Sequence, residues 1–133
     1  MKKGAGVILY SFNYDKTLCV LLGKRLNNPG KGSWAIAGGG MEDVDQGNFQ
    51  NNAIRECYEE TDIAIEKPLI EFDRLSFPHL DWITYIKEIS IEDRKLFKCE
   101  MEESYWFEIN EIPSPLVSHL EEELINLKKY LGY

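Results

Sequence analysis

The pattern of apolar and polar positions along the chain predicts six β-strands. Six apolar or alternating runs, each bounded by turn-forming residues, have the length and composition typical of strands. They cover residues 4–12, 17–25, 33–37, 69–77, 82–90 and 104–109. The first two runs are separated by Asn13, Tyr14 and Asp15, which predicts a hairpin or a pair of adjacent strands.

Two further segments have the spacing of helices. Residues 53–61 are predicted to be helical and follow a polar stretch at 42–52. Near the C-terminus leucines recur at intervals of four, four, three and four residues, at Leu116, Leu120, Leu124, Leu127 and Leu131. This spacing predicts one face of a helix that begins near Ser114 and Pro115 and ends at Gly132.

The order of these elements predicts a layered fold. Three strands, a helix, three strands and a second helix are typical of an α/β or α+β domain, in which helices flank a mixed sheet. The length of 133 residues matches that of one domain. We therefore expect residues 1–133 to form a single domain.

The charge of the chain narrows the choice of partner. It has 23 acidic and 15 basic residues and a formal net charge of -8, which disfavours nucleic acid and anionic membrane surfaces. No apolar run approaches the roughly 20 residues of a membrane span, and residues 1–10 are interpreted as a strand rather than a signal peptide. An anionic small molecule remains compatible with this charge if metal ions intervene.

The cysteines indicate a reducing environment. Cys19, Cys57 and Cys99 are odd in number and widely separated, and the sequence has no C-x-x-C motif. This pattern predicts neither a disulfide framework nor a zinc site. A cytoplasmic location is therefore predicted.

The helix at 53–61 carries an unusual group of acids. On a helical wheel Glu56, Glu59 and Glu60 share an arc of about 100°, with Arg55 beside them and four residues before Glu59. Three carboxylates on one arc repel one another unless a cation lies between them, and Mg2+ prefers oxygen ligands. A solvated acidic face is the alternative reading of the same pattern. Three consecutive glycines at 38–40, which let backbone approach a phosphate, favour the functional reading.

The segment 55–63, RECYEETDI, resembles the end of the Nudix hydrolase signature, GX5EX7REUXEEXGU, where U is an aliphatic residue. Two other segments resemble small Nudix enzymes: GKGSWAIAGGG at 30–40 and SYWFEINEIP at 104–113. The resemblance covers most of the chain. It implies a Nudix-like mixed β-sheet sandwiched between helices.

The sequence departs from that signature at four points. Asp45, separated from Gly39 by five residues, stands where the family has Glu, and nine rather than seven residues separate it from Arg55. Asp62 replaces a glycine, and Ala37 stands where many members have proline. The shorter Asp45 side chain predicts a contact with Arg55 that is weaker or bridged by water. Asp62 is expected to tolerate a positive φ.

The resemblance implies a metal site on the predicted helix. Glu56, Glu59 and Glu60 correspond to the metal ligands of the family, and the Gly38 carbonyl corresponds to a further ligand. The implied cofactor is Mg2+, with Mn2+ as a possible substitute. Glu56 and Glu59 are also candidate catalytic residues, and the resemblance leaves open which glutamate is the general base.

A loop glutamate is a further candidate. Some family members have a metal ligand or base about six residues before a late tryptophan, and this spacing before Trp106 selects Glu100. Glu102 and Glu103 are neighbouring alternatives. A solvated loop acid is the competing interpretation of Glu100.

Four other residues have implied roles. Arg55 and Asp45 correspond to the pair that orients the helix carboxylates, and Arg55 is therefore included among the catalytic candidates. Arg25, at the end of the second predicted strand, and Gly39 are the candidates for substrate binding. A plain surface charge is the competing interpretation of Arg25.

The implied activity is metal-dependent hydrolysis of a nucleoside diphosphate linked to another group. The first choice is a MutT-type reaction that converts a nucleoside or deoxynucleoside triphosphate to a monophosphate and pyrophosphate. ADP-ribose or a nucleotide sugar is the alternative substrate, and a catalytically silent nucleotide sensor is the alternative of another class. The expected partner is a small-molecule nucleotide, and both a monomer and a homodimer remain open.

Several aromatic residues are candidates for stacking on a nucleotide base. Core packing is the competing interpretation of each, because strands commonly bury such side chains. The candidates are Trp34, Phe77, His79, Trp82, Tyr85 and Trp106.

Overall fold

A computed structural model describes residues 1–28, 30–94 and 103–133 of the chain. The described strands are β1 (Lys2–Phe12), β2 (Leu18–Lys24), β3 (Trp34–Ala35), β4 (Ala37–Gly40), β5 (Ile70–Phe77), β6 (Leu80–Glu88) and β7 (Ser104–Glu108). The described helices are α1 (Phe49–Thr61) and α2 (Leu120–Tyr130), together with short 3-10 helices at Asp43–Asp45 and Ile91–Asp93.

The strands form one mixed sheet, as predicted. The main path runs β3-β2-β1-β6-β5, while β4 pairs with β1 and β7 pairs with β2. Strand β1 is parallel to β6, and the other pairings are antiparallel. The predicted hairpin is present because β1 and β2 are antiparallel neighbours.

The two helices cover opposite faces of the sheet. Successive side chains of a strand point to opposite faces, and β1 contributes Val7 and Leu9 to one core cluster and Ile8 and Tyr10 to another. The first cluster contains Ala53 and Cys57 of α1, and the second contains Leu120, Leu124 and Leu127 of α2. The prediction of a mixed sheet sandwiched between helices, in the α+β class, is therefore confirmed.

Helix α1 is longer than predicted. It begins at Phe49, because the Asn48 side chain accepts a hydrogen bond of 2.9 Å from the Asn51 N–H and caps the first turn. It ends at Thr61, and the residue that follows, Asp62, has a φ of 60°, which places it in the left-handed region. The expectation that Asp62 tolerates a positive φ is confirmed.

Helix α2 is shorter than predicted. The prediction that it begins near Ser114 and Pro115 and includes Leu116 is wrong, because the helix begins at Leu120. The preceding backbone pairs with Trp34 instead, through hydrogen bonds from Trp34 to Pro115 and from Val117 to Trp34. Backbone groups engaged in this pairing are not available for a helical turn.

One predicted strand differs from the observed one. The predicted strand at 33–37 is divided into β3 and β4, which pair with different partners.

In the described parts of the chain, no helix is long and apolar enough to cross a membrane.

Candidate active site

Arg55 is the centre of the polar network beside α1. Its guanidinium donates two hydrogen bonds of 2.9 Å to the two carboxylate oxygens of Asp45. It also donates to the Gly40 carbonyl at 3.0 Å and to Glu59 at 2.9 Å, and more weakly to Glu56 at 3.4 Å. The Arg55 side chain therefore links strand β4, the 3-10 helix Asp43–Asp45 and two acids of α1.

The contact between Arg55 and Asp45 is direct and bidentate, so the prediction of a weaker or water-bridged contact is wrong. The 3-10 helix Asp43–Asp45 brings the short Asp45 side chain to the guanidinium. Its carboxylate also accepts a hydrogen bond of 2.9 Å from the Glu42 N–H. Hydrogen bonding from Arg55 lowers the pKa of the Asp45 carboxyl despite its burial, and the pKa of Arg55 is raised.

The three acids of α1 occupy different environments. Glu56 and Glu60 are buried, whereas the side chain of Glu59 is 43% exposed and is held by Arg55. Glu60 accepts a hydrogen bond of 2.7 Å from the Gly38 N–H. Two buried carboxylates therefore face the glycine strand β4, and the third lies at the surface beside them.

Gly39 is required at its position because of Glu56. A Cβ built on Gly39 would overlap the Glu56 carboxylate, lying 2.6 Å from its Cδ atom. At Gly40, no atom of the described residues other than its chain neighbours lies within 4 Å of the equivalent position. The absence of a side chain at residue 39 therefore lets a buried carboxylate lie against the backbone of β4.

Asn52 was missed by the sequence reasoning. It is fully buried, and its Nδ2 donates to the Gly39 carbonyl at 3.3 Å and the Gly40 carbonyl at 3.4 Å. Its Oδ1 has no hydrogen-bond partner among the described residues. The sequence signal for Asn52 was its position: it is a polar residue one helical turn before Glu56, in the segment that follows the three glycines at 38–40.

A cleft of about 710 Å³ opens beside the glycine strand. Its walls come from the loop after β2, from β3 and β4, from β5 and β6, and from the start of α2. Its lining includes Arg25, Gly38, Phe77, Trp82, His119 and Glu123. Gly38 connects this cleft to the acids of α1, because it lines the cleft and its N–H donates to Glu60.

The structure places the remaining candidates as follows. Arg25 lines the cleft, next to Gly30. Trp34 and Tyr85 are buried in the core, and His79 lies in the exposed turn between β5 and β6. Trp106 packs against the core beneath Arg94. Of the aromatic candidates, Phe77 and Trp82 therefore line the cleft.

Two of the three candidate loop acids lie outside the described residues. Glu100 and Glu102 lie outside the described residues, and Glu103 is exposed immediately before β7. The assignment of Glu100 as a metal ligand stays a prediction.

The donor set fits a hard divalent cation. Glu56, Glu59 and Glu60 offer carboxylate oxygens, the type of ligand that Mg2+ prefers. Within residues 1–28, 30–94 and 103–133, no three His, Cys, Asp or Glu side chains are gathered to hold one ion by themselves. Mg2+ in proteins is commonly held by one or two carboxylates together with substrate phosphates and water, so this arrangement is compatible with it.

Solved structures share this fold. A MutT/nudix family protein from Enterococcus faecalis has a TM-score of 0.71 and 23% identity, covering 80% of this chain and 43% of its own. The NUDIX domain of Shewanella oneidensis NrtR, solved with ADP ribose, has a TM-score of 0.79 and 16% identity, covering 97% and 87%. An Ap4A hydrolase from C. elegans has a TM-score of 0.75 and 17% identity, covering 99% and 98%. This chain spans less than half of the Enterococcus protein.

The family assignment comes from the sequence match. No curated protein matches the chain significantly. The NUDIX domain family model, however, matches residues 2–127, nearly the whole chain. The chain therefore belongs to the Nudix family.

Proposed function

We propose that this protein hydrolyses the diphosphate linkage of a nucleotide, converting a nucleoside or deoxynucleoside triphosphate and water to a monophosphate and pyrophosphate. The observation that carries the proposal is the pair of buried carboxylates, Glu56 and Glu60, held against the glycine strand at the edge of an open cleft. Both acids are held in place by hydrogen bonds, Glu56 from Arg55 and Glu60 from the Gly38 N–H. Divalent cations that accompany a diphosphate substrate would bind to such carboxylates, because hard cations prefer oxygen ligands.

The three helix acids, with Glu100 and the Gly38 carbonyl as further candidates, would hold Mg2+ or Mn2+. A bound divalent cation would neutralise the phosphates and activate water as the nucleophile. Arg55 fixes the carboxylates of Glu56 and Glu59 and ties them to Asp45. Arg25, which lines the cleft, would contact the anionic substrate.

Hydrolysis of ADP-ribose is the second candidate. It is favoured by one observation: the NrtR NUDIX domain that was solved with ADP ribose aligns over 97% of this chain. Both candidates use the same helix acids, so they differ only in the group that the cleft accepts.

A substrate panel tests the proposal. The purified protein is incubated with Mg2+ or Mn2+ and each of the NTPs and dNTPs, a modified dGTP, ADP-ribose, a UDP-sugar and a dinucleoside polyphosphate. Products are resolved by chromatography. Monophosphate and pyrophosphate from triphosphates support the proposal, whereas preferential cleavage of ADP-ribose supports the second candidate. Absence of turnover with every compound contradicts both and favours a nucleotide sensor.

A further inference from the structure

The cleft contains a buried acid that the proposed hydrolysis does not use. Glu123, in the first turn of α2, is 6% exposed and lines the cleft together with Trp82 and Phe77. Its Oε2 atom has no hydrogen-bond partner among the described residues. A desolvated carboxylate oxygen without a donor is costly, because a buried acceptor loses its hydrogen bonds to water.

The surroundings of Glu123 do not relieve this cost. Asp73 of β5 and Glu122 of α2 are the neighbouring acids, and the Thr84 hydroxyl of β6 favours the ionised form. Burial is the main reason that the pKa of Glu123 rises to about 7, and hydrogen bonding with Asp73 raises it further. Within the part of the chain that the structure describes, no positively charged group favours the ionised form of Glu123.

A chain of side chains fixes this acid in place. The Trp82 indole N–H donates a hydrogen bond of 2.9 Å to the Thr84 hydroxyl, which leaves the hydroxyl hydrogen available for Glu123. The Trp82 ring itself lies over Gly4, Gly6 and Gly38, where a Cβ on any of them would come within about 3 Å of the ring. Trp82 thus joins the wall of the cleft near β4 to the acid on α2.

We propose that Glu123 determines the base specificity of this cleft, accepting a hydrogen bond from the exocyclic amino group of a nucleotide base. The inference rests on the proposed function, since it takes the cleft to hold a nucleotide. A base that carries an amino group supplies the N–H donor that Oε2 lacks. Phe77, which is 43% exposed, and His119 present rings 5.6 Å apart at the same cleft and offer apolar contact to a planar base.

Binding measurements with paired nucleotides test this assignment. Each pair differs in an amino group: ATP and purine riboside triphosphate, GTP and ITP, CTP and UTP. Dissociation constants are measured by calorimetry with Ca2+, a hard cation that takes oxygen ligands, and chromatography verifies that each nucleotide stays intact during the titration. We expect the wild-type protein to bind the amino-bearing member of at least one pair about 10- to 100-fold more tightly, the effect of leaving one buried acceptor unpaired.

Two variants complete the test. Glu123→Leu is close in size, removes the acceptor and is expected to reduce the discrimination to less than about threefold. Glu122→Gln, an exposed neighbour on the same helix, is the matched control and should keep the wild-type ratio. Circular dichroism melting of both variants checks that each is folded. If Glu123→Leu does not fold, Thr84→Val, which removes the hydroxyl that orients the acid, is expected to weaken the same discrimination.

The results separate this inference from the proposed function. Amino-group discrimination that Glu123→Leu abolishes supports the inference even if no nucleotide is hydrolysed. Equal binding within every pair, no nucleotide binding, or discrimination that survives in Glu123→Leu overturns it. If triphosphates are hydrolysed while one of these three results is obtained, the proposed hydrolysis is supported and only the role of Glu123 in base specificity is wrong.

Discussion

Arg55 and Asp45 are joined by two parallel hydrogen bonds of 2.9 Å, and the Asp45 side chain is almost completely buried. Charge-assisted bidentate pairs of this kind are strong and directional. Because the same guanidinium also holds Glu59 and the Gly40 carbonyl, the pair connects the 3-10 turn to the acid face of α1.

Removing the negative charge of Asp45 is expected to destabilise the protein and reduce activity. Asp45→Asn cannot accept both hydrogen bonds of Arg55, and breaking a buried pair costs about 3 kcal/mol or more. The loss is measured by urea unfolding at pH 7, and kcat by the assay that detects turnover. Glu66→Gln, at an exposed acid outside this network, is the control and should resemble the wild type.

The stability difference between the wild type and Asp45→Asn should depend on pH, because the pKa of Asp45 is lowered in the folded protein. A carboxyl whose folded pKa lies below the usual 3.8 stabilises the folded state above pH 3.8, and this contribution is lost as the pH falls through the folded pKa. The stability gap between wild type and Asp45→Asn should therefore be constant near neutrality and shrink in acid. A gap that widens below pH 4 would contradict the assignment.

Gly39→Ala is expected to displace Glu56. The added methyl group would overlap the carboxylate, and overpacking of this kind typically costs about 1–3 kcal/mol. We expect a lower melting temperature and a large loss of kcat. Gly40→Ala is the matched control, because a Cβ there would have open space among the described residues. Equal effects of the two substitutions would show that Glu56 does not require the space at residue 39.

Glu123 should make the stability of the protein depend on pH in the direction opposite to that of Asp45. Its folded pKa of about 7 lies above the usual 4.5, so the folded state binds the proton more tightly than the unfolded chain. Stability contributed by the protonated acid is full below about pH 4.5 and is lost as the pH rises to about 7. The loss is at most about 3 kcal/mol.

Melting temperatures of wild type and Glu123→Gln between pH 4.5 and 8 measure this effect. The variant should gain stability relative to the wild type as the pH rises, since it carries no charge to bury. Asp73 and Glu122, which face the same acid, are unchanged in the comparison. A difference that is independent of pH would contradict the raised pKa.

The sequence was sufficient for the layout of the fold. Strand periodicity located the six predicted runs, and the leucine spacing located α2, because both signals reflect which face of an element is buried. The start of α2 was misplaced because Leu116 continues the leucine pattern. The pairing of residues 115–117 with Trp34 depends on tertiary contacts that a local pattern does not contain.

The site was predictable only in part. The spacing of Glu56, Glu59 and Glu60 placed three acids on one arc, yet the structure buries two of them and exposes the third. That division is made by β4, whose glycines admit Glu56 and bind Glu60. Glu123 escaped attention because an acid in the first turn of a helix is ordinarily a solvated residue that favours the helix dipole.

The proposed function requires the acids of α1 for hydrolysis, and the substitution Glu60→Gln tests this requirement. Glutamine keeps an oxygen to accept the Gly38 hydrogen bond, so the variant should fold, but it lacks the charge that a divalent cation needs. With Mg2+ and the best substrate of the panel, we expect a loss of kcat of at least about 100-fold for Glu60→Gln and no loss for Glu66→Gln. Turnover of Glu60→Gln within a few-fold of the wild type would contradict it.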